Sequence, residues 1–145
     1  MELKSPSDTI FYTIESTIKA YRKSSQKNLS HEITDMTIDQ GLILVFLDKY
    51  PEKTQKEIAA MAFKDNASMT RMLDLMEKKN YIERSINESN RRRYKIEITP
   101  KGKQVLKALT PIVISNRESA LRGISEEEIV QLEQILSKIR ANCTP

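Results

Sequence analysis

Three consecutive arginines, Arg91, Arg92 and Arg93, follow a run of turn-forming residues that ends in Asn90. Adjacent guanidinium groups repel one another, a cost that an anionic partner would offset. Side chains alternate along an extended segment, so at most two of the three can enter one groove of a duplex. Further upstream stands Arg71, whose guanidinium has the geometry to bond the O6 and N7 acceptors of a guanine together, with a phosphate or Asp74 as its alternative partner. Asn66, Ser68 and Thr70 lie just ahead of Arg71 and are candidates for the same surface, with solvation or helix capping as the plainer roles of the two hydroxyls. Catalytic chemistry is not expected: there is no glycine-rich phosphate loop, no cysteine and histidine paired by motif, and no carboxylate pair with a metal-ligating partner. A lone His31 cannot build a closed four-ligand site and reads as an ordinary loop residue, so neither metal nor cofactor is expected.

These side chains need a frame, and the period of the apolar residues supplies one. Ile10, Phe11, Ile14, Ile18 and Tyr21 define one face of a first helix from about Ser7 to Gln26, with a polar break over Asn28 to Asp35. Thr37 with Gln40 forms a capping-box pattern ahead of the apolar run Leu42 to Leu47, and Pro51 ends that second helix. Thr54 with Glu57 repeats the pattern ahead of Ile58-Ala59-Ala60-Met61, a short helix. After Lys64-Asp65-Asn66 a longer helix runs to about Lys79. Its Met69, Met72, Leu73 and Met76 face inward, while Ala67, Arg71, Asp74 and Lys78 face outward. Leu75 does not fit that polar outer face. Asn80 follows, a residue that tolerates the left-handed conformation of a helix C-terminal cap.

The period then changes. Tyr94-Lys95-Ile96-Glu97-Ile98 alternates apolar with charged residues, and Ile82, Arg84 and Ile86 supply a partner strand, so a hairpin with the arginines at its tip is predicted. Helical spacing resumes after Thr99-Pro100-Lys101-Gly102 through Val105, Leu106, Leu109, Ile112 and Val113, with a kink or break expected at Pro111. Ser125 with Glu128 caps a last helix carrying Ile129, Leu132, Ile135, Leu136 and Ile139. The fold class is therefore mainly α with a small β-hairpin wing: a winged helix-turn-helix flanked by N- and C-terminal helices. Such a unit can lay a helix in the major groove and reach the electronegative minor groove with its basic loop.

Composition sets the outer bounds. The chain has 145 residues, 39% hydrophobic and 30% charged, which suits one soluble folded domain. No apolar stretch approaches the roughly 20 residues of a membrane span. With a single cysteine, Cys143, no intrachain disulfide can form, and a cytoplasmic protein is expected. The net charge is +4, yet residues 51 to 103 alone carry 13 basic against 8 acidic side chains. The excess is concentrated on the segment that holds the helix-turn-helix and the hairpin, as a polyanion-binding surface requires.

The run from Thr37 to Gly102 resembles the MarR family of bacterial transcription regulators, in the stretches TIDQGLILVFLDKYPEKTQKEIA, SMTRMLDLMEKKNYIER and SNRRRYKIEITPKG, with SEEEIVQLEQILSKIRAN at the end. The resemblance implies a protomer spanning 1–145, with a DNA-binding winged helix at about 37–102 and dimerisation helices at about 7–26 and 103–141. It implies a homodimer on double-stranded DNA with a palindromic operator, and a recognition helix from about Asn66 to Lys79. The wing of the family usually carries Asp-x-Arg, matched here by Asn90-Arg91-Arg92. Thr54, Gln55 and Lys56 take the position of phosphate contacts. A repressor released by a small, often aromatic effector is implied, with Tyr12, Tyr21 and Phe46 near its pocket, although core packing is the alternative role of each. A winged-helix protein-interaction module without DNA binding is the competing reading; it calls for an apolar recognition helix and a neutral wing.

Overall fold

Among the described residues, four of the six α-helices begin with a hydroxyl residue whose side chain accepts the backbone N–H of the third helical residue, which accounts for their starting points. Thr37, Thr54 and Ser125 do so within complete capping boxes, closed by Gln40, Glu57 and Glu128. Thr99 accepts from Gly102 N–H at the start of the fifth helix. The structure, a computed structural model, describes residues 1–86, 88–89 and 94–145. A short 3-10 turn (Pro6–Asp8) leads into α1 (Ile10–Glu32), followed by α2 (Ile38–Lys49), α3 (Gln55–Met61) and α4 (Asn66–Lys78). Strands β1 (Ile82–Ile86) and β2 (Tyr94–Ile98) pair antiparallel in the register Ile82↔Ile98 to Ile86↔Tyr94. Helices α5 (Pro100–Ala120) and α6 (Glu126–Cys143) complete the chain.

The core lies where α2, α3, α4 and β1 converge under α5. Ile43, Leu44, Ile58, Met69, Leu73, Met76 and Ile82 are fully buried there, joined by Leu29 of α1 and Leu109 of α5. The inward face expected for α4 is thus largely as expected, with Met72 partly buried at its edge. The end of α4 is a Schellman closure: Asn80 N–H reaches Glu77 C=O, Tyr81 N–H reaches Met76 C=O, and Asn80 sits at φ 64°. Tyr81 and Met76 are both buried, which supplies the apolar contact that usually accompanies this cap.

Three expectations need correction. Helix α1 runs six residues past Gln26, because Leu29 continues the inward face and is buried although its neighbours are polar. His31 therefore lies in the last helical turn and not in a loop. Of the kink or break expected at Pro111, the break is absent: α5 continues through it, and flanking packing of Leu109, Ile112 and Val113 against the core holds the helix on both sides of the missing N–H.

Candidate nucleic-acid interface

The first turn of α4 is organised from α3. Gln55, the first residue of α3, donates its side-chain amide to Thr70 Oγ1 at 3.0 Å and to Asn66 Oδ1 at 3.4 Å. Thr70 in turn donates to Asn66 C=O at 2.9 Å. Asp65 caps α4 by accepting Ser68 N–H at 2.7 Å, and this backbone hydrogen bond, first of all, holds its carboxyl below the usual range. Of the residues expected at this surface, Asn66, Thr70 and Gln55 are thus tied to one another, and the hydroxyl of Thr54 is engaged in capping. Lys56 is exposed and has no ion-pair partner among the described residues.

Arg71 stands on the outer face, exposed, with Nη2 donating to Ser68 Oγ at 3.2 Å. The alternative pairing with Asp74 is not made. Asp74 accepts instead from Nη2 of Arg84 on β1, at 2.5 Å, and Glu77 accepts from Nε of the same arginine at 2.7 Å. This clamp does two things: it fastens the hairpin to α4, and it occupies the two carboxylates that would otherwise compete for Arg71. Nothing in the sequence pattern singled Arg84 out, because an arginine on an alternating strand is unremarkable until the helix it faces is known. Leu75 is half exposed, and nothing in the structure explains it. The expected wing residues Asn90, Arg91, Arg92 and Arg93 lie outside the described residues.

The motif Thr99-Pro100-Lys101-Gly102 locks the far end of the hairpin. Thr99 N–H donates to Tyr81 C=O at 3.0 Å, and its hydroxyl donates to Asn80 C=O at 2.6 Å. A Cβ on Gly102 would run into Tyr81 O and lie 2.7 Å from Ile98 Cγ2, so glycine alone permits this approach. One residue thus joins the end of α4, the end of β2 and the start of α5.

A cavity of about 260 Å³ opens between α1, α2 and α5. Its walls are largely apolar: Ile18, Tyr21 and Leu29 from α1, Ile38, Leu42 and Val45 from α2, Leu109, Ile112 and Val113 from α5. Arg22, Ser25, Asn116 and Arg117 supply the polar groups. Of the three aromatic residues named for an effector pocket, Tyr21 lines this cavity, and Tyr12 and Phe46 do not. Tyr12 is half exposed on an outer turn of α1, and Phe46 points along α2 toward Tyr50, with ring centroids 6.3 Å apart. Nine residues separate Tyr12 from Tyr21, which places the two on opposite faces of α1. A second, more open groove of about 630 Å³ lies between α1 and α5, flanked by His31 and Pro111. Among the described residues no group of three histidine, cysteine or acidic side chains could hold a metal ion, and no helix is long and apolar enough to cross a membrane.

A two-helix turn set on α2, followed by a hairpin clamped to its second helix, defines a winged helix-turn-helix protein. Residues 36–94 match the MarR family model. The fold extends over nearly the whole chain in solved relatives. The transcriptional regulator SlyA is 28% identical, with 92% of this chain and 93% of that chain covered at a TM-score of 0.80. The S. aureus MepR–DNA complex is 23% identical, covering 97% and 100% at a TM-score of 0.84. Bordetella bronchiseptica BpsR, whose DNA binding is regulated by 6-hydroxynicotinic acid, is 15% identical, covering 96% and 98% at a TM-score of 0.84. Residues 36–94 are thus similar to the MarR family of transcriptional regulators, and the fold around them is similar to that of a solved transcriptional regulator over nearly the whole chain.

Proposed function

We propose that the protein is a homodimeric, sequence-specific DNA-binding repressor that sits on an inverted repeat and is released by a small effector held between its dimerisation and DNA-binding parts. The observation that carries the DNA reading is the outer face of α4. Arg71 stands exposed there, bonded only to Ser68, while Asp74 and Glu77 are engaged by Arg84, so no carboxylate pairs with the Arg71 guanidinium beside the hairpin. Lys56 at the start of α3 is exposed as well, and the sequence between β1 and β2 contributes three further arginines, 91 to 93. The MepR structure contains DNA and BpsR responds to a small molecule, which supports both halves of the reading. One exposed leucine on α4 does not make the apolar face that a protein-interaction module needs.

Two recognition helices related by a two-fold axis call for half-sites about 10 base pairs apart, centre to centre. The test is titration of the protein against the repeat flanking its own coding region over a range of salt. Affinity is expected to fall steeply with salt as counterions are released. Arg71→Ala is expected to cost about 1–3 kcal/mol on that repeat and to relax discrimination at one base pair. Arg92→Ala is expected to weaken binding as well. A flat salt response, or a repeat bound no better than unrelated DNA, refutes the reading.

A further inference from the structure

Helix α4 turns one large apolar side chain outward. Leu75 is 50% exposed, although Met69, Leu73 and Met76 of the same helix are fully buried and Met72 is partly so. Its neighbours on the outer side, Ala67, Arg71, Asp74 and Lys78, are all exposed, and the three larger ones are charged. Half of the leucine surface thus stays in water in the single chain, and covering it is favourable.

The place of Leu75 on the helix narrows what can cover it. At 100° per residue it lies about 40° from Arg71 and about 20° from Ser68, so Ser68, Arg71 and Leu75 form one stripe along the axis. The first two are already joined, Arg71 Nη2 donating to Ser68 Oγ at 3.2 Å. Asp74 and Glu77, which Arg84 ties to the hairpin, lie on the other side of Arg71. The stripe is therefore the flank of α4 away from the hairpin. The charges of Arg71 and Lys78 beside the leucine favour a polyanion over an apolar protein segment as its partner. A guanidinium here suits the O6 and N7 acceptors of guanine. To a leucine the same groove offers a single complementary group, because the C5-methyl of thymine is the one apolar group that the base pairs display there. From Arg71 to Leu75 the helix advances about 6 Å, while stacked base pairs lie about 3.4 Å apart, so the two side chains address positions about two base pairs apart.

We propose that Leu75 is a specificity-determining residue that packs on the C5-methyl of a thymine about two base pairs from the guanine contacted by Arg71. The inference rests on the DNA reading above and gives each half-site a required feature, a guanine and a thymine at fixed separation. The contact is apolar and releases no counterion, so it adds sequence preference and leaves the salt dependence of binding unchanged.

The experiment replaces thymines of the inverted repeat by deoxyuridine, which lacks only the 5-methyl group and keeps the base pair, first in one half-site and then symmetrically in both. Binding of the full chain is followed by fluorescence anisotropy. One thymine per half-site is expected to be sensitive, within about three base pairs of the guanine whose replacement weakens the parent but not Arg71→Ala. The loss is expected to be about fourfold with one half-site substituted and about fifteenfold with both. Leu75→Ala is expected to bind the unmodified repeat about fifteenfold or more weakly, with the salt slope of the parent, and to make no distinction between thymine and deoxyuridine at that position. Leu75→Met, which keeps an apolar side chain, is expected to retain the distinction. Equal affinity for every deoxyuridine repeat, a sensitive thymine that stays equally sensitive in Leu75→Ala, or a Leu75→Ala protein that binds as the parent does each overturns the proposal. These three outcomes leave the DNA-binding reading standing, whereas a parent that binds the unmodified repeat no better than unrelated DNA removes both.

Discussion

Asp39 shows how much one side chain can be asked to hold. Burial by itself would raise its carboxyl, but hydrogen bonds and charges from Arg22 and Lys64 outweigh that and hold it below the ordinary carboxylate range. A carboxyl depressed in the folded state contributes stability that is fully present above its unfolded value and is lost as pH falls through its folded value. Asp39→Asn is therefore expected to cost about 1 kcal/mol at neutral pH, with the gap closing as pH drops below the ordinary carboxylate range. Urea unfolding of the parent and the variant at pH 7 and pH 3 checks this; a gap that persists at pH 3 contradicts it. No sequence signal marked Asp39, Arg22 or Lys64 as a unit, since they are 17 and 25 positions apart from one another across Asp39 and each reads alone as a solvated charge. The capping residues were legible for the opposite reason: Thr37, Thr54 and Ser125 bond to residues three positions away, inside the window that a pattern can cover.

Elements are joined in this protein by backbone approach as much as by side chains. The hairpin meets α4 through the Arg84 clamp at one end and through Thr99 and Gly102 at the other. Gly102→Ala would push a methyl group against the Tyr81 carbonyl that accepts Thr99 N–H, so relief requires breaking the join between β2 and α5. We expect a loss of about 2 kcal/mol or more, read as a lower midpoint in thermal or urea unfolding. An alanine that folds with unchanged stability would mean that α5 can shift away from Tyr81 at no cost. Helix existence and strand pairing were visible in the period of apolar residues, while the end of α1 was not. There the residues around Leu29 are polar, and only packing against the core extends the helix to Glu32.

At the scale of the molecule the unfinished surface is the informative one. Helix α6 spans 18 residues without a single buried side chain, and Val130, Leu132 and Ile135 on it are each more than half exposed. Ile10, Phe11 and Ile18 of α1 and Ile114 of α5 are exposed as well, so the helices outside the winged helix carry apolar residues with no cover in one chain. Exposed apolar surface on this scale is what an interface would cover, and the homodimer proposed above would bury it. Replacing Leu132 and Ile135 together by glutamate is expected to shift the sedimenting species toward monomer and to weaken binding to the inverted repeat far more than to a single half-site. A parent that sediments as a monomer at micromolar concentration would contradict the dimer.

The amino-acid order by itself determined the succession of helices and strands, their caps, the inward face of α4 and the concentration of positive charge on residues 51 to 103. All of these depend on interactions between near neighbours or on simple counting. Which arginine Asp74 and Glu77 engage, and which side chains surround the cavity, were decided by the tertiary structure. Arg84 meets Asp74 and Glu77, and Ser25 meets α2 and α5, because helices and strands distant in sequence were brought together by burial of a shared apolar core. That burial is non-directional, so sequence spacing carries no record of which polar groups it will set side by side.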